Sequence, residues 1–299
     1  MQPDLTVSII SADNLDLLLP CLGSVFENTH RIHLEVYVVD NASSDDTAAA
    51  VEAAYPQVTV LRNDERQGFS TNNNMVLRQG RGRYLMLLND DTLVIDDALD
   101  QMVAFLDAEP EAGAVGSFLL NPDGSFQPAF ARFPHPLVEA WWPATNWSHL
   151  LNRRLDEPFE VDSVCGAAML VRRDVIGQIG VLDTAFDPIY SEEVDWCYRI
   201  KQAGWQIYAL PQARIIHYGG QTMNRMMPRK YELLLSHKKL FFRKHAGRAA
   251  ANVYGVALGA STALKVAWWT LAELIGGDRQ FAREKRRLHQ YILARVPSL

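Results

Sequence analysis

The hydrophobic pattern in the first part of the chain alternates between two periods. Short apolar runs at 5–11, 34–39, 58–61, 84–88 and 114–119 read as strands, and the stretches between them at 15–27, 45–54, 70–79 and 96–108 carry apolar residues at helical spacing. That rhythm predicts a parallel sheet with helices on both faces, a doubly wound α/β domain of the nucleotide-binding type. Residues 121–158 break it, with six prolines and the pair Trp141-Trp142 in a stretch lacking a clear period. Loops and short helices over the sheet are expected there. Regular patterning returns at 161–172 and again at 207–216, where β-type residues flank Pro211.

The strand at 84–88 ends abruptly. In the string YLMLLNDDT, large apolar side chains suited to burial on both faces stop at Asn89, Asp90 and Asp91. Carboxylates just past such a strand stand at the rim where open α/β sheets bind ligands, and oxygen ligands suit Mg2+ or Mn2+ carrying a diphosphate. An Asp-capped turn into the helix near Asp96 is the alternative. Asp40 likewise closes the second strand in VVDNASSDDT, beside the turn Asn41-Ala42-Ser43. There it can accept a hydrogen bond from a base N–H or a ribose hydroxyl, while Ser44 or Asp45 caps the next helix. Carboxylates at two strand ends of one parallel sheet converge on a single crevice.

The string IYSEEVDWCYR adds Glu192, Glu193 and Asp195. Paired acids in a cleft repel each other and can keep one carboxyl able to accept a proton near neutrality. Helical spacing puts Glu192 and Asp195 on one face and turns Glu193 away, so the three need not share a role. A solvated acidic helix N-terminus fits them too. His217 follows the apolar run 213–216 and precedes Gly219-Gly220, again at a strand end. A neutral imidazole there can ligate the same metal as Asp91, or can be purely structural.

Composition narrows the class. With 48% hydrophobic and 21% charged residues the chain is globular, and a formal charge of -6 argues against a general nucleic-acid binder. Cys21, Cys165 and Cys197 are far apart and form no CxxC pair, so neither a disulfide framework nor a zinc site is expected. The N-terminal residues enter a strand at once, without a basic leader, which predicts a cytoplasmic protein and an unmodified sequon at Asn146-Trp147-Ser148. Residues 249–264 carry no charge and 266–272 add Trp268 and Trp269, with only Lys265 between the two runs. Basic residues flank this region on both sides, Arg243, Lys244 and Arg248 before it and Arg279, Arg283, Lys285, Arg286 and Arg287 after it. One membrane span would put one cluster on the wrong side. Helices lying on the anionic cytoplasmic leaflet satisfy both, which predicts a peripheral protein on the inner face of the membrane. The alternative is a helix packed on the catalytic domain or in a homodimer interface.

A set of strings in fixed order then points to a family. VSII with CLGSV, VVDNASSDDT, Asn63 with Gly68-Phe69, LLNDDT, DAEPEAGAVG, NPDGSFQP, VCGAAMLVRRDVIGQIGVLD, SEEVDWCYRI, AGWQIYALPQARIIHYGG and FRKHAG run from about residue 6 to about residue 247. In these the chain resembles family 2 glycosyltransferases of the GT-A fold, nearest the bacterial rhamnosyltransferase-like branch. The resemblance implies a GT-A domain over 1–245, which leaves 246–299 as a helical extension for which the apolar and basic pattern above predicts membrane-surface contact. It implies an inverting, Mg2+- or Mn2+-dependent transfer from a nucleotide-sugar donor, with dTDP-rhamnose the first expectation, to a hydroxyl of a glycan or glycolipid acceptor. Residue by residue, Asp40 would contact the base or ribose, with Asn41, Asp13, Asn63 and Gly68 on the donor side. Asn89, Asp90 and Asp91 would fill the DxD slot, with Asp91 the metal ligand and His217 near the diphosphate. Glu193 would be the catalytic base of the Glu192-Glu193 pair, and Gly166 and Ala167 would line the sugar or acceptor side.

Four positions depart from the family pattern. Ser11-Ala12-Asp13 replaces an Asn-Tyr-Asn or Thr-Tyr-Asn string, Asn72 and Val76 replace two glycines, Asp90 takes a slot that is frequently proline, and Glu193 replaces an aspartate. Two rival readings remain at this point. A nucleotidyltransferase would want a Gly-rich, basic phosphate loop after the first strand, and residues 11–20 contain no glycine, lysine or arginine. A non-catalytic glycan-binding or scaffold relative would keep the sheet and lack turnover.

Overall fold

The computed structural model describes residues 2–141, 156–219, 227–276 and 278–296; Trp142, the 146–148 sequon and Gly220 lie outside them. The chain forms two compact units, one taking in Met1–Phe133 and Asn146–Gly219, the other Pro134–Thr145 and Gly220–Leu299.

In the first unit, strands β1 (Leu5–Ser11), β2 (Leu34–Asp40), β3 (Thr59–Arg62) and β4 (Tyr84–Asn89) alternate with helices α1 (Leu15–Glu27), α2 (Thr47–Ala54) and α3 (Phe69–Gln79). The chain continues through β5 (Thr92–Val94), α4 (Ala98–Ala108), β6 (Ala112–Leu120) and β7 (Phe130–Ala131). Helix α5 (Pro136–Trp141) belongs to the other unit, after which come β8 (Phe159–Glu160), β9 (Ser163–Val164), β10 (Ala168–Arg172), α6 (Arg173–Ile179), α7 (Glu192–Gln202) and β11 (Gln206–His217). The main sheet runs β3-β2-β1-β4-β10-β6-β11-β5, with β8 on β11, and β7 pairs with β9 apart from it.

The apolar runs become strands buried on both faces, as their composition predicts: Leu85, Met86, Leu87 and Leu88 of β4 are buried, and so are Leu5, Val7 and Ile9 of β1. Helix α1 covers one face with Leu18, Cys21, Leu22 and Val25, the i, i+3, i+4, i+7 stripe of an amphipathic helix. Strands β3, β2, β1 and β4 are mutually parallel. Beyond β4 the sheet is mixed, because β10 is antiparallel to both β4 and β6. The chain leaves β6 at the carboxyl rim and comes back to the sheet at that same rim, so β10 has to run in reverse; a parallel strand would need a crossover to the far edge. Strand β11 passes through Pro211 without ending, taking a register shift between Leu210 and Arg214 against β6. A bulge is where a residue lacking an N–H is tolerated inside a sheet.

Register decides where the chemistry sits. Ser11 at the end of β1 is level with Asp40 of β2, and Ile10 is level with Asn89 of β4. On the other side of β4, Asn89 N donates to Ala167 O just before β10 begins (2.9 Å). His217 ends β11 opposite Thr92, and Tyr218 N donates to Asp91 O (2.9 Å). The ends of β1, β2, β4 and β11 and the start of β10 thus share one rim.

The second unit holds α5 with α8 (Met227–His245), α9 (Gly247–Ile275) and α10 (Arg279–Arg295). The boundary therefore falls at Gly219 rather than at 245. Helix α8 packs with the C-terminal helices: Phe242 lies against Tyr254 with ring centroids 5.1 Å apart, and Glu232 pairs with Arg295. Tyr254 and Leu258 are fully buried, and the Ser261 hydroxyl donates to Ala140 O. On α9, Val253, Val256, Leu264, Trp268, Leu271 and Ile275 recur at helical spacing on a single face and are exposed, Val256 and Ile275 each at 76%. At 1.5 Å per residue this stripe runs about 30 Å. No helix among the described residues is long and apolar enough to cross a membrane.

Candidate active site

The donor side of the rim is built from amides bound to one another. Asn41 Oδ1 accepts from Gln67 N (2.8 Å) and from Asn63 Nδ2 (3.1 Å), and Asn41 Nδ2 donates to Gln67 O (3.1 Å). Asn63 Nδ2 also donates to Asn72 Oδ1 (2.6 Å). Asn72, which stands where relatives carry glycine, is therefore an integral part of this loop and not a bystander. The network fixes the turn after β2 and holds Asp40, whose Oδ1 accepts from Ser43 N (3.0 Å). Asp13, with φ of 53°, accepts from Ser44 N (2.6 Å) and Ser44 Oγ (3.0 Å) and pairs with Arg66. It ties the loops after β1 and β2 together; Asn41, Asn63 and Asp13 all spend polar atoms shaping this end of the sheet. The helix after β2 starts later than the sequence suggests, at Thr47, with Asp45 Oδ1 accepting from Thr47 N (3.1 Å).

Gly68 has a steric task. A Cβ there would lie 2.1 Å from Cγ of Asp187, which accepts from Ser70 N (2.9 Å) and Thr71 Oγ1 (2.5 Å) at the start of α3. Phe69 N donates to Pro188 O (2.8 Å). A residue from far along the chain thus caps α3, and the loop that leads into α7 is pinned to it. That loop ends in Tyr190 and Ser191, both at positive φ (86° and 71°). An aromatic side chain in this region is strained by roughly 1–3 kcal/mol and persists only where its surroundings hold it. Asp187, Tyr190 and Ser191 were not legible as site residues, because nothing in their sequence spacing joins them to α3.

Helix α7 separates its three acids as its periodicity requires. Asp195 is fully buried and binds Arg199 Nε (2.9 Å), whose other nitrogens donate to Ile179 O and Val181 O. Its carboxylate is therefore an internal anchor of α7, not a group that reaches a ligand. Glu192 is buried with Oε2 lacking any partner among the described residues. Burial first, and then the neighbouring Glu193 charge, push its carboxyl well above the ordinary range. Glu193 is half-buried, and burial raises it too. Gly166 lies alongside, where an added Cβ would stand 3.5 Å from Glu193 Cβ and 3.6 Å from the Phe69 ring.

At the DxD position, burial and the Asp91 charge push Asp90 up to about 6, with polar groups of Ser11 and Asn14 opposing the shift. Asp91 Oδ1 is buried with no hydrogen-bond donor among the described residues, 3.2 Å from Nε2 of His217. Asn89 Nδ2 also approaches that nitrogen (3.3 Å), while Nδ1 faces Gln127 Oε1 (2.5 Å). An orphaned carboxylate oxygen beside a ring nitrogen is satisfied by a cation shared between them. Neighbouring ligands of an octahedral Mg2+ stand about 3 Å apart, so the donor set and its spacing fit Mg2+ or Mn2+. Among the described residues no group of three His, Cys, Asp or Glu side chains is arranged to hold a metal. Two ligands fit an ion whose other positions go to water and diphosphate oxygens.

The Cys165 thiol joins the two acidic groups. It is pushed up to about 12, first by burial and then by the charges of Glu193, Glu192 and Asp91. These carboxylates therefore share the surroundings of one side chain at the rim, and Asp40 lies two strands along the same edge.

Two outcomes test this geometry. Gly68→Ala should force Asp187 off α3, costing about 1–3 kcal/mol of stability and on the order of 100-fold in turnover, as read from thermal unfolding and steady-state rates. Glu192 holds its proton more tightly folded than unfolded, so its contribution to stability is present below about pH 4.5 and is lost as pH rises through the raised value. Glu192→Gln should accordingly stabilise the chain at pH 7 by about 1–3 kcal/mol and leave it unchanged at pH 4 in denaturant titrations.

Comparison with known proteins shows the family. Residues 6–180 match the family model described as glycosyl transferase family 2. The chain is 27% identical over 243 residues to N-acetylglucosaminyl-diphospho-decaprenol L-rhamnosyltransferase of Mycobacterium tuberculosis, an alignment covering 75% of this chain and 78% of that protein. It is 28% identical to the O-antigen biosynthesis protein RfbC of Myxococcus xanthus, over 72% of this chain and 17% of that one. Among solved structures, it superposes with TM-score 0.57 and 19% identity on the mannosyltransferase PcManGT from Pyrobaculum calidifontis in complex with GDP-Man and Mn2+, covering the whole of this chain and 87% of that one. GalNAc-T7 with UDP, GalNAc and Mn2+ gives TM-score 0.58 at 17% identity, over 83% of this chain and 51% of that one. With the family model matched over more than half its length and a mixed sheet of the GT-A kind, the chain belongs to glycosyl transferase family 2 and is a glycosyltransferase.

Proposed function

We propose that this glycosyltransferase moves rhamnose from dTDP-rhamnose to a hydroxyl of a lipid-linked saccharide, with inversion at the anomeric carbon. The observation that carries the reading is the shared rim on which Asp40, the Asp91–His217 pair and Glu193 stand. The similarity to a rhamnosyltransferase named for a diphospho-decaprenol acceptor supports the choice of sugar and acceptor.

In this reading Asp40 binds the base or ribose, and Asp91 and His217 hold Mg2+ or Mn2+. The cation, when bound, offsets the negative charge that grows on the departing diphosphate. Glu193 accepts the proton of the acceptor hydroxyl as that oxygen bonds to the anomeric carbon and the carbon–phosphate-oxygen bond breaks. Its raised pKa suits a base working near neutrality, a step worth roughly 100-fold to 10,000-fold. Glu192, buried beside it, has its own carboxyl pushed well above the ordinary range by burial and then by the Glu193 charge. Gly166 leaves room beside Glu193 for the acceptor. The remaining acceleration comes from alignment of the two substrates.

The apolar stripe of α9 supports a membrane-surface role. Leu137 and Trp141 of α5 and Phe281 of α10 are exposed as well, and α10 carries exposed Arg279 and Arg287. An exposed apolar face with nearby cations is what binds an anionic leaflet, where a lipid-linked acceptor resides.

Two measurements decide between the parts. Asp91→Ala should abolish turnover of dTDP-rhamnose with no loss of melting temperature, and Glu193→Gln should keep donor binding but lower the rate at least 100-fold while removing the acid limb of the kcat/KM profile. Retained turnover in either variant sinks that assignment. In vesicle sedimentation the chain should bind phosphatidylglycerol vesicles, and replacing Val256, Trp268 and Ile275 together by glutamate should weaken binding at least tenfold; equal binding would remove the membrane-surface role.

A further inference from the structure

The string NPDGSFQ ends β6 and lies outside the roles assigned so far. Asn121 N donates to Ser125 O (2.8 Å) and Gly124 N to Asn121 O (2.8 Å), with Gly124 at φ of 82°. Glycine takes that left-handed position in a tight hairpin turn without penalty. The turn folds the chain back so that Gln127 N donates to Leu119 O (2.9 Å). Leu119 is level with Ile215 of β11, two residues before His217. The turn thereby delivers the Gln127 side chain to His217.

The hydrogen bonds there leave one consistent orientation for each amide. Asn121 Nδ2 donates to Ser125 Oγ (2.9 Å) and approaches Phe126 O (3.4 Å), so its Oδ1 is free to accept. Gln127 Nε2 donates to that Oδ1 (2.9 Å) and to the carbonyl of His217 (3.0 Å). Both neighbours of Nε2 are acceptors, so the amide cannot be turned over. Oε1 is then the atom that meets His217 Nδ1 at 2.5 Å, and as an acceptor it requires a proton on Nδ1. In the neutral ring Nε2 is left with its lone pair, directed at Asn89 Nδ2 and at the orphaned Asp91 Oδ1.

We propose that the Asn121–Gln127 turn is a positioning device that sets the tautomer of His217, presenting the Nε2 lone pair beside Asp91 as a ligand for the divalent cation. Gln127 grips His217 at both the ring and the backbone, so it fixes ring rotation as well as proton placement. The residue that orients a metal-ligating histidine through its second nitrogen typically governs affinity by 10- to 100-fold. The inference rests on the reading that Asp91 and His217 hold the cation, and its test separates the two.

Long-range 1H–15N correlation spectra of the metal-free protein, with His217 assigned by loss of its signals in His217→Gln, report the tautomer directly. The wild type should show protonated Nδ1 and unprotonated Nε2, a result that needs no folded variant; a proton on Nε2 with none on Nδ1 overturns the proposal. Gln127→Leu should mix the two tautomers and weaken Mn2+ binding in the presence of dTDP roughly 10- to 100-fold by electron paramagnetic resonance. Equal Mn2+ affinity in the wild type and a folded Gln127→Leu overturns the positioning role. If Mn2+ fails to bind the wild type although Nδ1 is protonated, the cation reading itself falls, and with it the purpose assigned to the turn.

Discussion

A buried carboxylate oxygen with no donor, set against a histidine nitrogen, is the constraint on which the catalytic unit turns. Asp91 and His217 stand 3.2 Å apart at the ends of neighbouring segments of one sheet. Leaving a buried charged oxygen unsatisfied costs more than the roughly 1–3 kcal/mol of a neutral orphan, and in the proposed reading a shared cation removes that cost. The level ends of β1, β2 and β4 give the same rim a carboxylate at Asp40, and the reversed β10 brings Gly166 and Ala167 beside Asn89. A diphosphate bound by such a cation would therefore lie across strand ends that the backbone has already aligned, which is the pre-organisation that electrostatic catalysis requires.

The proposed base, Glu193, is held by different means. Strain at Tyr190 and Ser191 is sustained by the Asp187 cap on α3, and that cap exists only because residue 68 lacks a Cβ. Asp195, anchored to Arg199, fixes α7 from within and leaves Glu192 and Glu193 to face the rim side. One carboxylate in this helix thus serves packing, while the proposed base Glu193 and its neighbour Glu192 stand at the first turn. Glu193 is one methylene longer than the family's usual aspartate, and the strained entry to α7 gives the loop a conformation of its own to place that longer side chain.

Much of this was legible in the chain itself. The strand and helix pattern of the first 120 residues emerged within a residue or two at most boundaries, because apolar runs buried on both faces leave little freedom. Asp40, Asp91 and His217 could be read as strand-end residues for the same reason. The reversal of β10 could not, since strand direction depends on where the chain re-enters the sheet and not on local composition. Gln127, Asp187 and Gly68 act through partners about 90 to 120 residues away in sequence. Their signals were present as the NPDGSFQ turn and the Gly68-Phe69 pattern, but the contacts that give them meaning belong to the tertiary structure. The division of the chain moved from 245 to Gly219 because α8 finds its apolar partners on α9.

The roles proposed for the exposed stripe of α9 and for the acidic rim make separate demands, one for an anionic surface and one for a cation with its diphosphate, and the second is the central one. Anomalous diffraction at the manganese edge from crystals grown with Mn2+ and dTDP tests it most directly. The account predicts one strong peak within bonding distance of both Asp91 Oδ1 and His217 Nε2, in contact with the diphosphate, with the base toward Asp40. A peak elsewhere, or a diphosphate bound away from that rim, would contradict it.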